Sequence, residues 1–218
     1  MKSIHSVVGI AVVLASCGVF INKKPEPQSS PPSRPANERI EPVFASKPIT
    51  LSPVLSSRVM QATKYAREND FSTSYCFFID MSIHSGRKRF FVYDLERNEV
   101  IISGLVAHGS CRESYLTEAK FSNIPGCGCS SVGKYRIGEI YRGQYGKSYK
   151  LYGLESTNSN AYRRAVVLHG FTCVPDEEIF PKSVCNSLGC AMVSPNFFNA
   201  VSLIIDRSRK PIILWIYK

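Results

Sequence analysis

Apolar positions change period repeatedly along this chain. Ile4 to Leu14 is a largely unbroken apolar run. From 22 to about 50 the pattern lapses: Pro25, Pro27, Pro31, Pro32, Pro35, Pro42 and Pro48 stand among Ser, Asn, Glu and Lys. Such a stretch is extended and semi-rigid and has little to bury. Ser52-Pro53 then reads as an N-cap with proline at the first helical position. Leu55, Val59, Ala62 and Ala66 recur at helical spacing, which predicts a helix of about four turns. Short β-like runs follow: Tyr75 to Ile79, Arg89 to Tyr93, Val100 to Ile102, Gly104 to His108, Lys134 to Tyr141, Tyr149 to Leu154, Ala165 to His169 and Pro211 to Tyr217. Glu96-Arg97-Asn98 reads as a turn. A late helix is capped by Ser194 and opened by Pro195, with Phe197, Phe198, Val201, Ile204 and Ile205 as its buried stripe. No internal repeat appears. Many short strands and a few helices predict a mainly β body, a sandwich or barrel-like fold.

The first run has an address in it. Met1-Lys2 is a short, weakly charged start, Ile4 to Leu14 an apolar segment, and Leu14-Ala15-Ser16-Cys17 closes it with small residues. This resembles a bacterial lipobox. It predicts a signal peptide over 1–16, lipid on Cys17 and a Pro-rich linker over 17–50 that holds a body over 51–218 away from the membrane. The competing expectation is an uncleaved anchor, since Ile4 to Ile21 approaches spanning length and Lys23-Lys24 ends it. Both readings put the body outside the cytoplasm, in the cell envelope.

Hydrophobic residues at 44% are enough for a core, and the net charge of +10 attracts polyanions. The basic residues are scattered and no nucleic-acid motif accompanies them. An envelope polymer carrying carboxylates suits an exported basic chain better.

The chemistry gathers late. An apolar strand ends in Val166-Val167-Leu168-His169-Gly170, and a loop then leads to Ser187-Leu188-Gly189-Cys190-Ala191. A thiol attacks a carbonyl well only when a base or cationic imidazole helps remove its proton. His169 is the expected base and Cys190 the expected nucleophile. Gly170 allows a sharp turn. Gly189 leaves room and frees N–H groups for an oxyanion, and Ser187 steadies the imidazole or bonds a substrate. Spacing alone leaves the bland reading open, in which Cys190 is a core thiol and His169 a hydrogen-bonded strand end.

Other segments join these. Ile79-Asp80-Met81-Ser82, Arg89-Phe90-Phe91-Val92-Tyr93-Asp94-Leu95, Val106-Ala107-His108-Gly109, Phe121-Ser122-Asn123-Ile124-Pro125-Gly126, Ser130-Ser131-Val132-Gly133 and Tyr152-Gly153-Leu154-Glu155 complete the set. With His169-Gly170 and Ser187-Leu188-Gly189-Cys190 they resemble the murein L,D-transpeptidase catalytic domain (YkuD-like) family over about residues 50 to 218. The resemblance implies that family's β-sandwich. It implies a cysteine acyl transfer on peptidoglycan stem peptides that forms 3→3 cross-links through an acyl-enzyme on Cys190, with no metal or organic cofactor. Water as acceptor would make it an L,D-carboxypeptidase. A further alternative is an idle, wall-binding lipoprotein, against which the intact His169, Ser187, Gly189 and Cys190 speak. A papain-like peptidase would carry its cysteine before its histidine, the reverse of this order. Leu188 and Ala191-Met192-Val193 depart from the wider family, which usually has His before the Gly and Arg or Asn after the Cys. His108 and Tyr141 are candidates to line the substrate groove with Gly170. For His108 a structural hydrogen bond is the slightly favoured alternative.

Six cysteines remain: Cys76, Cys111, Cys127, Cys129, Cys173 and Cys185. In an exported chain they permit a disulfide framework. At least one of Cys173 and Cys185 is expected to be bonded, to the other or to the Cys127/Cys129 pair. A metal site at Cys127-Gly128-Cys129 is the weaker reading, because one intervening residue is short for zinc. Free buried thiols are the third.

Overall fold

The computed structural model describes residues 52–218. The expected signal peptide, Cys17 and the linker over 17–50 lie outside the described residues.

The first helix, α1 (Pro53–Glu68), starts where the sequence predicts. Ser52 Oγ accepts from the Leu55 N–H at 3.1 Å, and Pro53 sits where no helical donor is needed. Its stripe of Leu55, Val59, Ala62 and Ala66 packs with Cys76, Phe78, Tyr93 and Trp215. The strands are β1 (Tyr75–Asp80), β2 (Phe90–Asp94), β3 (Glu99–Gly104), β4 (Val106–Ala107), β5 (Gly133–Gly143), β6 (Gly146–Gly153), β7 (Val167–Gly170), β8 (Ala191–Val193) and β9 (Ile213–Tyr217). They form one nine-stranded sheet in the order β3-β2-β1-β9-β5-β6-β7-β8-β4. Only β1/β9 and β7/β8 run parallel.

The sheet order explains the shape. β3 and β4 are its two ends, yet only Leu105 separates them in the chain. Two residues reach no further than about 7 Å, so the sheet must curl until its edges meet. This is the mainly β, sandwich-like body that the pattern predicts. Arg89 fastens the seam. Its N–H donates to the Gly104 carbonyl at 3.1 Å, and its guanidinium donates to the carbonyls of Val106 (2.8 and 3.0 Å) and Ile83 (3.0 Å). Burial pulls its pKa down to about 10 against the pull of Asp80, so it stays charged at neutral pH.

The second helix, α2 (Pro195–Arg207), fills the curl. Its Phe197 ring meets Phe90 of β2 at 5.1 Å, and Phe198 meets Tyr149 of β6 at 5.9 Å. Phe197 and Ile205 are only half-buried, and Ser202 joins the stripe in their place. Strand β4 is shorter than expected, because Gly109 bridges to Ser187 instead. Strand β8 was not anticipated: three residues beside a cysteine carry too little periodicity to read.

Candidate active site

Strand β8 is the element that makes the site. It pairs in parallel with β7, with Leu168 opposite Ala191, His169 opposite Met192 and Gly170 opposite Val193. One step back brings Cys190 level with Val167. Paired residues share a face and alternate residues return to it, so His169 on β7 and Cys190, one residue ahead of β8, lie on the same face of the sheet. On its other side His169 pairs with Ser148, which pairs with Tyr141.

His169 is buried. Its Nδ1 lies 3.2 Å from the Gly170 carbonyl. A carbonyl only accepts, so Nδ1 carries the proton and Nε2 the lone pair. Tyr145 stacks on the imidazole with centroids 4.5 Å apart and planes at 20°, and Phe171 meets Tyr145 edge-on at 5.6 Å. Burial lowers the pKa of His169, with the Gly170 carbonyl opposing. Burial raises that of the Cys190 thiol, while nearby backbone and the charge of Arg164 act against it. The thiol's hydrogen-bond contact is a long one, 4.0 Å to the Ala165 carbonyl, and it does not bond the imidazole. Both shifts favour a thiol beside a neutral imidazole over an ion pair. An attack by this thiol would have to be accompanied by proton transfer.

The loop ahead of Cys190 is locked by Ser187. Its hydroxyl donates to the Cys190 carbonyl at 2.9 Å and accepts from the Gly189 N–H at 3.1 Å. Two expectations change here. Ser187 holds the loop, not the imidazole, and the Gly189 N–H is already taken and not free for an oxyanion. The loop is also tied from behind. The Ser187 N–H donates to the His108 carbonyl at 2.9 Å, and the Ser110 N–H donates to the Ser187 carbonyl at 2.8 Å. Gly189 has φ +110°, and a Cβ there would lie 2.6 Å from the Cys129 carbonyl. Gly189→Ala must push the loop off that wall. A shift of about 1 Å costs about a hundredfold in rate, so acylation of Cys190 should fall by that order and the thermal midpoint should drop. Undiminished acylation would show that the wall yields.

His108 is placed differently from the expectation that it lines the groove. It is fully buried. Arg89 Nη2 lies 3.0 Å from its Nδ1, and its Nε2 lies 3.0 Å from the Leu116 carbonyl. It is therefore a neutral, internal strut, as the alternative had it. Asn186 completes the strut, donating to the same Leu116 carbonyl at 2.9 Å and accepting from the Leu116 N–H at 2.7 Å. Desolvation, then the charge of Arg89, pulls the His108 pKa from 6.5 to about 4. Between those values the unfolded chain binds the extra proton, so stability is lost as pH falls from 6.5 towards 4. The lowered His169 adds with the same sign. The urea midpoint should fall from pH 7 to pH 5, and a flat midpoint would contradict a neutral buried His108.

Gly170 has a different reason from the expected turn. A Cβ there would come 3.1 Å from Phe198 Cβ and 3.3 Å from Pro195 Cα, so it admits the start of α2 and does not face the groove. Tyr141 is 46% exposed in the row of His169, consistent with a place at the cleft border.

Two residues went unsingled in the sequence. Tyr145 lies between Gly143 and Gly146 at the tip of the β5–β6 hairpin, and an exposed-looking aromatic in a turn was the available signal. Arg164 donates to the carbonyls of Ser122 (2.9 Å) and Cys129 and to Ser131 Oγ, binding that wall to the segment that leads into β7. Nothing in Arg163-Arg164 shows which of the two turns inward.

The structure pairs Cys173 with Cys185 and Cys111 with Cys129. Cys76 and Cys127 are free. The first bridge staples the loop between His169 and Cys190, whose Val174 and Val184 pack on Leu105, Ala107 and Met192. The second fastens the segment whose Cys129 carbonyl walls Gly189. Among the described residues, no three His, Cys, Asp or Glu side chains gather to hold a metal ion.

Comparison with curated protein sequences finds no match. Solved structures with a similar outline include an L,D-transpeptidase from Xylanimonas cellulosilytica, at 13% identity over 71% of this chain and 68% of that one, TM-score 0.37. Another is the helical cell shape determining protein of Campylobacter jejuni, at 12% identity over 73% of this chain and 56% of that one, TM-score 0.42. At these scores the assignment rests on the family model, which describes the L,D-transpeptidase catalytic domain and matches residues 49–217. With His169 on β7 and Cys190 immediately ahead of the adjacent parallel β8 in a curled, mainly β sheet, this chain belongs to the L,D-transpeptidase catalytic-domain family.

Proposed function

We propose that the protein forms 3→3 cross-links between peptidoglycan stem peptides through an acyl-enzyme on Cys190. The observation that supports this is the β7/β8 pairing, which brings an imidazole and a thiol to one face in the family's His-Gly then Ser-x-Gly-Cys order. Cys190 Sγ attacks the carbonyl carbon of the third stem residue while His169 Nε2 takes the thiol proton. The carbon–nitrogen bond to the fourth residue breaks, and His169 returns the proton to the departing amine. A side-chain amine of a second stem then attacks the thioester, His169 takes its proton, and the sulfur leaves as the thiol. Water in place of the amine gives carboxypeptidation on the same residues. Export with lipid on Cys17 would bring the site to this substrate.

Intact-mass spectrometry of the protein with disaccharide-tetrapeptide tests the reading. Cys190 should gain the mass of the disaccharide-tripeptide acyl group, with release of the terminal D-residue. Dimer then marks transpeptidation and free tripeptide marks hydrolysis. No adduct and no released residue would remove the proposal.

A further inference from the structure

The face that carries Cys190 and His169 continues across β6 and β5. On β6, Ser148, Lys150 and Tyr152 alternate on this face, while Tyr149 and Leu151 turn into the core. Lys150 pairs with Val167, the residue level with Cys190, and Tyr152 pairs with Arg136. The β8–β4 flank is closed, because the stapled loop packs on Met192 and Ala107. The open flank is the one toward β6 and β5.

That flank ends in a stack. The rings of Tyr152 and Tyr162 lie 5.0 Å apart at 12°. Arg136 Cζ lies 4.0 Å over Tyr152, and Lys150 Nζ lies 5.4 Å from the Tyr162 centroid. Glu139 fixes the arrangement. It accepts from the Tyr152 hydroxyl at 2.7 and 2.9 Å and pairs with Lys150 at 3.0 Å. Tyr162 nevertheless stays 56% exposed. The core gains little from an aromatic pair held in place at the surface. A binding partner with a flat apolar face gains a plate that costs little to order.

Spacing connects the plate to the thiol. Two strand spacings across and two residues along separate Cys190 from Tyr152, which is about 12 Å. Three extended residues span about 10 Å. A tripeptide acylated on Cys190 through its third residue therefore reaches the plate with its first. Resting on the function proposed above, the group attached there is an amino sugar. We propose that Tyr162, backed by Tyr152 and Arg136, is a subsite for a hexosamine ring of the glycan strand. The sugar lays its C–H face on the phenol ring, and Lys150 and Glu139 meet its polar rim.

Binding can be measured without turnover. The full-length Cys190→Ala protein is titrated with GlcNAc–MurNAc-tetrapeptide and with the same free tetrapeptide. The sugar-bearing ligand should bind about tenfold tighter, about 1.4 kcal/mol. Adding Tyr162→Ala should bring the ratio close to one, and Tyr162→Phe should keep it, since the ring face is retained. Equal affinities in the parent, no binding of either ligand, or a ratio that survives Tyr162→Ala would each overturn the subsite. The proposed acyl transfer is judged separately, by the adduct on native Cys190. A missing adduct with the expected binding ratio would leave the sugar plate standing and remove the chemistry.

Discussion

Cys190→Ser should lower acyl transfer by on the order of 10⁴-fold or more and leave the fold in place. Removing a nucleophile that acts as a unit with its base costs losses of that size or greater. A serine hydroxyl holds its proton far more tightly than a thiol. His169, its basicity lowered by burial, is poorly matched to take it. The fold should not notice. The sulfur's hydrogen-bond contact is the long one to the Ala165 carbonyl, whereas the loop is closed by Ser187 Oγ and by backbone bonds to His108 and Ser110. A substitution that touches so little changes stability by about 0.5 kcal/mol, which for a body of this size is about 2 °C in midpoint. Turnover and thermal melts on one preparation decide the matter. A folded Cys190→Ser protein that still releases the terminal D-residue would show that another group attacks.

Both helices were legible because each announces itself twice. Ser52-Pro53 and Ser194-Pro195 give the cap and the first turn, and the apolar stripe gives the period. The central strands were legible because they are buried on both faces and read as continuous apolar runs, as in Tyr75–Asp80 and Ile213–Tyr217. Their order was not legible. The pairing of β1 with β9, and of β7 with β8, joins segments far apart in the chain, and composition says nothing about such partners.

The site shows the same division. His169 and Cys190 could be nominated from motif and context, and the β7/β8 pairing brings them close in the sheet. The work of Ser187, Gly170 and His108 could not, because it depends on what lies behind each. For Ser187 that is the Cys190 carbonyl and the Gly189 N–H. For Gly170 it is the start of α2. For His108 it is the buried guanidinium of Arg89. Each is a contact across the sheet or the loop, and none leaves a periodic trace in the sequence. The bridge between Cys173 and Cys185 was among the alternatives the spacing allowed, and the structure selects it.

His169→Ala should cut turnover at pH 7 by about a thousandfold, within the 10²–10⁴ that a positioned acid–base group supplies. The pH profile distinguishes a neutral pair from a standing thiolate. In the parent, activity needs unprotonated His169. Since its pKa lies below the ordinary 6.5, activity should be flat through neutrality and fall only in acid. Without His169 the proton must leave to solvent before attack. The raised thiol pKa then puts the active form in alkali, so the variant's activity should climb with pH. The gap between the two proteins should narrow as pH rises above neutrality and be widest in acid, where the parent is still active and the variant's thiolate is scarcest. Iodoacetamide, which reads thiolate directly, should react slowly with both proteins at pH 7. Fast alkylation of the parent at pH 7 that disappears in His169→Ala would mean that imidazolium already holds a thiolate. The burial that separates the two pKa values would then be overcome by their mutual attraction.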